Sequence, residues 1–199
     1  MPGTADNFSS TLLTIGPGKF YTSCAVPAGG ARLTLHTDLT PESVANPSAK
    51  HVGFTDAGNK FIYTPEVEVF EADEQTAPIF SRILTENAMI EGQMLQGADL
   101  TTLDELLFAG AKASGSGYEQ ITLGGNTSIT GVSVALIAPT VASSTYAQVV
   151  NIYNAYNERG LEVEITRRTL AKIPYSFKGL QISTRTQGDR LCNFWKSAA

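Results

Sequence analysis

Lys60-Phe61-Ile62-Tyr63-Thr64-Pro65-Glu66-Val67-Glu68-Val69-Phe70-Glu71 is the stretch that decides the fold. Glu66 and Glu68 alternate with Val67 and Val69, and a period of two sends successive side chains to opposite faces of a strand. The alternation predicts valines toward a core and glutamates toward solvent. Upstream, His51–Thr55 reads as a short strand that reaches this one through a turn at Asp56-Ala57-Gly58-Asn59, where Gly58 can take a positive φ. Downstream, Asp73–Pro78 predicts a second turn, and Ile79–Gln96 resumes extended character with a bulge expected at Gly92.

The same pattern recurs across the chain. Lys19–Val26 and Arg32–Thr37 read as early strands, closed by Pro27 and Gly29-Gly30. Tyr118–Leu123 and the apolar Ile129–Ala138 follow a flexible link at Ala113–Gly117. Tyr146–Asn157 and Leu161–Arg168 flank Glu158-Arg159-Gly160 as a hairpin, with Glu162 and Glu164 alternating against Leu161, Val163 and Ile165. Ala171–Phe177 and Gly179–Ile182 close the series. Helical spacing is confined to Thr101–Ala111, where Leu103, Leu106, Leu107 and Gly110 share a face and Thr101 with Asp104 resembles a capping pair. The expectation is a mainly β fold with one flanking α-helix at 101–111. Residues 1–15 read as an N-terminal arm, 16–182 as the β domain with an extended loop at 38–50, and 183–199 as a C-terminal arm.

The chain has 199 residues, 42% of them hydrophobic, enough for one domain with its own core. The polar opening and the shortness of the longest apolar run, Val134–Ala138, predict synthesis without export and no membrane insertion. Cys24 and Cys192 have no partner spacing and read as free thiols. Net charge is −5, which argues against binding a phosphate backbone. The charge is also polarised. Residues 1–158 hold 6 Lys and Arg against 16 Asp and Glu, giving −10, and residues 159–199 hold 8 against 3, giving +5. Such segregation suits head-to-tail contact between copies, or cancels inside one folded subunit.

Catalytic constellations find little support. His36 and His51 sit in no motif. Gly16-Pro17-Gly18-Lys19 is not a phosphate loop, because Pro17 removes an amide donor and a strand follows. The alternating glutamates lack the predicted cleft that a glycosidase pair requires. They read as an ordinary solvated strand face, or as a carboxylate-coated wall that repels DNA phosphates. No enzyme activity, metal or cofactor is expected.

Several motifs together carry a likeness. Gly16-Pro-Gly-Lys-Phe-Tyr-Thr-Ser-Cys-Ala-Val-Pro-Ala-Gly-Gly30, the hairpin His51-Val-Gly-Phe-Thr-Asp-Ala-Gly-Asn-Lys-Phe61 and the acidic strand from Tyr63 to Glu74 come first. Thr85–Gly92, Ile173–Leu180 and Gly188-Asp-Arg-Leu191 follow in order. In this the sequence resembles the tail tube, or major tail, proteins of long-tailed bacteriophages, and departs from their closing pattern at Ser183–Gln187.

The resemblance implies two β-sheets closed into a sandwich or barrel beside one helix, in copies that form stacked hexameric rings. It implies a virion structural protein assembled in the host cytoplasm. Its partners are other copies and the tape measure, terminator and baseplate or tip proteins, and double-stranded DNA passes through the lumen without being bound. Glu66, Glu68, Glu162 and Glu164 become candidates for the lumen wall. Phe8, Leu12, Pro41, Val44, Arg185, Arg190 and Trp195, in the arms and the loop, become candidates for contacts between subunits or rings. The alternatives are another tail component of the same fold, a terminator or baseplate hub, and a non-polymerising β-sandwich binding module using Tyr153, Tyr156 and Trp195.

Overall fold

A computed structural model describes residues 18–43, 45–53, 55–70, 79–95, 103–104, 109–125, 127–140, 143–162 and 172–196. Ten strands are described: β1 (Lys19–Thr22), β2 (Lys50–His51), β3 (Thr55–Phe70), β4 (Phe80–Met94), β5 (Ala109–Gly115), β6 (Tyr118–Leu123), β7 (Val132–Thr140), β8 (Ser143–Asn157), β9 (Ile173–Gly179) and β10 (Cys192–Lys196). All pair antiparallel. The main sheet runs β2-β1-β7-β8-β9-β4-β3, with β10 also on β8, and β5 and β6 form a separate two-stranded sheet.

The sheet curls far enough for its inner face to pack on itself. Phe20 on β1 stacks on Tyr175 of β9 with ring centroids 5.0 Å apart, although β7 and β8 separate these strands in the ladder. Phe177 joins at 5.3 Å. Around these rings lie Ile90, Met94, Val134, Leu136, Val150, Ile152 and Ile173, all buried. The alternate residues of the same strands, Tyr21, Ala135, Ile137 and Val149, bury a second cluster on the opposite face under Leu33 and Leu39. Burial on both faces explains why β7 is apolar almost without interruption. A register shift in the β7–β8 pairing brings Ala155 back to the inner face.

The segment that closes the outer face lies in the loop expected at 38–50, most of whose described residues are exposed or half-exposed. Leu39 and Asn46 are buried. Asn46 knits the segment together: its Oδ1 accepts from the Ala25 N–H at 3.0 Å, and its Nδ2 donates to the carbonyls of Glu42 at 3.1 Å and Thr34 at 3.3 Å. A side-chain amide thus supplies the bonds that a ladder would have made, so the expected strand at 32–37 is reduced to one bridge between Leu35 and Pro41.

Four further expectations change. Asp56–Asn59 is no turn: β3 runs through it with an irregularity opposite Gly92, between the pairs Asp56↔Gln93 and Lys60↔Glu91. Gly92 is required because a Cβ there would strike the Tyr175 hydroxyl and the Asn59 side chain. The flanking helix is not seen. Leu103 and Asp104 have helical backbone, residues 109–111 already belong to β5, and 101–102 with 105–108 lie outside the described residues. The expected link at 113–117 is the end of β5 and its turn into β6. Finally, residues 183–196 are no arm: a turn held by Arg185 and Asp189 leads into β10, which pairs with β8 from Cys192↔Ile152 to Lys196↔Gln148. The N-terminal arm at 1–15 and the strand expected at 163–168 lie outside the described residues, and Leu161 and Glu162 are not in a strand.

Candidate assembly surface

Strands β3 and β4 form one long hairpin, whose inner half belongs to the sheet and whose outer half does not. Ile90 and Ala88, opposite Phe61 and Tyr63, are buried. Beyond that point, residues 63–70 and 80–87 are exposed or half-exposed throughout, on both faces. The register sorts them. Tyr63, Pro65, Val67 and Val69 share one face with Ile83 and Glu86, while Thr64, Glu66, Glu68 and Phe70 share the other with Thr85, Arg82 and Phe80.

The first face is apolar and continues the inner core beyond its last cover. Val67, Val69 and Ile83 are 50%, 48% and 57% exposed, which reverses the expectation that the valines point into a core. Tyr63 donates its hydroxyl to the Glu86 carboxylate, a bond that pushes the phenol up to about 12. Glu86 therefore has a partner on an otherwise apolar strip.

The second face carries the carboxylates. Glu66 accepts from the Thr85 hydroxyl at 2.9 Å, and Glu68 is held by Arg82 through Nε and Nη2, each at 2.7 Å. The Arg82 guanidinium also lies 5.3 Å from the Phe70 ring, which leans on Phe80. No local pattern signals this cation, 14 residues from its partner. It cancels one of the two charges, leaving the face weakly acidic.

The open edge of β3 is blunted. Pro65 in its middle has no N–H to offer, and a register shift between the pairs Glu66↔Thr85 and Val67↔Ile83 leaves Leu84 as an extra residue. Contact through the faces is favoured over ladder extension.

At the hairpin's base the apolar face becomes one wall of a groove of about 560 Å³. Phe61, Tyr63 and Leu84 line one side, and Leu191, Cys192 and Phe194 the other. Phe194 is 61% exposed. Burial, with Glu86 and Asp189 nearby, pushes the Cys192 thiol up to about 11, so it is protonated at neutral pH.

The other candidate residues are dispersed. Glu162 lies in the segment after β8, 4.0 Å from Arg159, on a different element from Glu66 and Glu68, and Glu164 is outside the described residues. Phe8, Leu12 and Val44 are likewise outside them, and Pro41 is buried. Arg185 is engaged within its own copy. It donates to Asp189 and to the Pro27 carbonyl at 2.7 Å each, and its guanidinium sits 4.0 Å from the Tyr153 ring. Arg190 is exposed and donates to the Arg185 carbonyl at 3.0 Å. Trp195 packs on the outer cluster, with Arg32 5.7 Å from its ring. Tyr153 is buried and Tyr156 half-buried, so they form no exposed aromatic platform with Trp195.

His36 hydrogen-bonds Asp38 at the surface, and the His51 ring leans on Tyr21. Among the described residues no three His, Cys, Asp or Glu side chains gather as a metal site, and no helix is long and apolar enough to cross a membrane. Neither a scan against protein-family models nor a search of curated proteins returns a match for this chain.

Proposed function

We propose that this protein is a virion structural subunit of the phage tail tube kind. Its two-sheet sandwich or barrel assembles into hexameric rings that stack into a tube for the genome. The observation that carries this reading is the outer half of the β3–β4 hairpin, with one apolar and one carboxylate face, both uncovered in a single copy. An apolar strip continuous with the core is costly to leave in water and is satisfied by another copy. The opposite face, with Glu66 and Glu68, suits a wall along which DNA slides, because it offers phosphates no net cation. The order of sequence motifs supports the same family.

In this reading the partners are further copies, then tape measure, terminator and baseplate or tip proteins, in a tail assembled in the host cytoplasm. The protein performs no catalysis. Negative-stain microscopy of the purified chain tests it: rings or tubes are expected. Single rings that never stack favour a terminator or hub of the same fold, and monomers at all concentrations overturn self-assembly.

A further inference from the structure

Strand β8 changes its neighbour partway along. The Asn154 carbonyl accepts from the Leu180 N–H, on the β9 side, at 2.7 Å, whereas the Tyr153 N–H donates to the Leu191 carbonyl, on the β10 side, at 3.2 Å. From there to Gln148 the neighbour is β10. Strand β4 makes no such exchange. Its ladder with β9 ends at the pair Met89↔Lys178, and its outer half, residues 80–88, pairs only with β3. The registers place this outer half beside β10. Met89 and Tyr156 both pair with Lys178; four residues further along these two strands stand Thr85 and Ile152, and Ile152 pairs with Cys192. Thr85 is therefore at about the level of Cys192.

Two strand edges thus face each other, and among the described residues no ladder pair joins a strand to either of them. The groove of about 560 Å³ lies between them. It touches four consecutive residues of β4, Ile83 to Glu86, and so reaches the strand's edge rather than one of its faces, since successive side chains point to opposite sides.

We propose that this groove is a slot for an extended peptide segment of a partner protein, which enters as a strand between β4 and β10 and completes the sheet. Backbone N–H and C=O groups directed into a gap from both sides are matched by a chain whose own two edges are free. No described strand of a second copy qualifies, because each of the ten is already paired on at least one edge. Side chains set the rest of the partner's chemistry. Phe61, Ile83 and Phe194 wall the side continuous with the inner core, so alternate residues of the segment are apolar. At the base Glu86 is engaged by Tyr63 while Arg190 is exposed, which favours a carboxylate at the segment's end beside it. The inference does not rest on the tube reading.

The probe is a fluorescein-labelled heptapeptide of alternating valine and threonine ending in aspartate, made with the aspartate first and with it last. Fluorescence anisotropy with the full chain should show saturable binding of one of the two. N-methylation of its alternate amides should weaken binding at least about tenfold, because the ladder donors on one edge are lost. Arg190→Glu should weaken it as well. Equal binding of the methylated peptide overturns the proposal, and this control uses the unaltered chain, so it decides even if a variant does not fold. No saturable binding, the result expected if a segment of the chain itself fills the slot, overturns it too. So does binding that weakens as protein concentration rises, the sign of a second copy in the groove. An inserted strand also holds its two neighbours about 9–10 Å apart, beyond the roughly 7 Å between Cα atoms that a disulfide spans. With the probe at saturation, mild oxidation of the Thr85→Cys variant should leave the new thiol unlinked to Cys192, and a ready link overturns the insertion. Rings or tubes by microscopy, present or absent, bear only on the assembly reading.

Discussion

The strands β1, β7 and β8 and the outer half of the β3–β4 hairpin are built from similar residues and meet opposite fates. In the first region both faces are covered: Phe20, Val134 and Ile152 by the curled sheet, Tyr21, Ile137 and Val149 by Leu33 and Leu39. In the second, Val67, Val69, Ile83 and Phe80 are about half exposed or more, and no described residue of the same chain covers them. The difference teaches that alternation decides which side chains share a face. Whether that face is covered depends on residues far away in sequence.

Removing the most enclosed ring should break the comparison most visibly. Phe20→Ala should cost about 3–5 kcal/mol of unfolding free energy, because Tyr175 and Phe177 lose the ring between them. A denaturant titration that finds less than about 1 kcal/mol would show the inner face to be no core. Next comes the clamp that ties β10 to the sheet. Arg185→Ala should cost about 2 kcal/mol, since charged hydrogen bonds to Asp189 and Pro27 are lost together. A double-mutant cycle with Asp189→Ala separates the pair from the contact with the Tyr153 ring.

The covered region should also carry the alkaline sensitivity. Burial first, then the Asp189 hydrogen bond, raises the Tyr153 phenol to about 12, and burial with Asp38 nearby raises Tyr21 to about 12. The unfolded value is near 10, so this contribution is complete below pH 10 and is lost as pH rises toward 12. Asp189 has the opposite sign. The Tyr153 hydrogen bond, then those from Arg185 and Gly30, lower its carboxyl, so its contribution is present above the ordinary Asp range and disappears as pH falls through it. Melting temperature measured from pH 3 to 12 should fall at both ends, and Tyr153→Phe should flatten the alkaline limb.

The uncovered region should respond least in stability and most in assembly. Val67→Asp with Ile83→Asp should move the unfolding free energy by no more than about 0.5 kcal/mol each while abolishing rings or tubes. A large loss of monomer stability would mean that the strip is already covered within one copy. Smallest of all, Glu66→Lys with Glu68→Lys should leave the fold intact, with Arg82 losing its partner, and slow genome passage in assembled tails. Normal ejection kinetics would remove that face from the lumen.

Much of the strand pattern was legible because it is local. Tyr118–Leu123 is read to the residue, and Ile79–Gln96 contains all of β4. The failures have physical causes. The spacing of Leu103, Leu106 and Leu107 satisfies a helix, but Ala109 pairs with Leu123 and draws the following residues into β5. Arg32–Thr37 reads as a strand and 38–50 as a loop on local pattern, whereas the order of this region comes from Asn46, which bonds to carbonyls and an amide up to 21 residues away. β10 has five residues, half-buried on both faces except for the exposed Phe194, and so shows no period. Of the surface itself, Glu66 and Glu68 were visible in the sequence. The groove was not, because its walls come from β3, β4 and the segment around β10, over 90 residues apart.

The stacking of Phe20 on Tyr175 sets a timetable. A ribosome adding about 5–20 residues per second needs roughly 8–30 s to travel from one ring to the other. A β-hairpin closes in about 1–10 μs. The β3–β4 hairpin can therefore exist on a nascent chain long before β7, β8 and β9 have been made, with its apolar side facing other nascent chains. On the assembly proposed above, the part that joins copies is also the earliest one able to do so. Lengthening synthesis with slow codons between β4 and β9 should accordingly lower the soluble yield without altering a single residue.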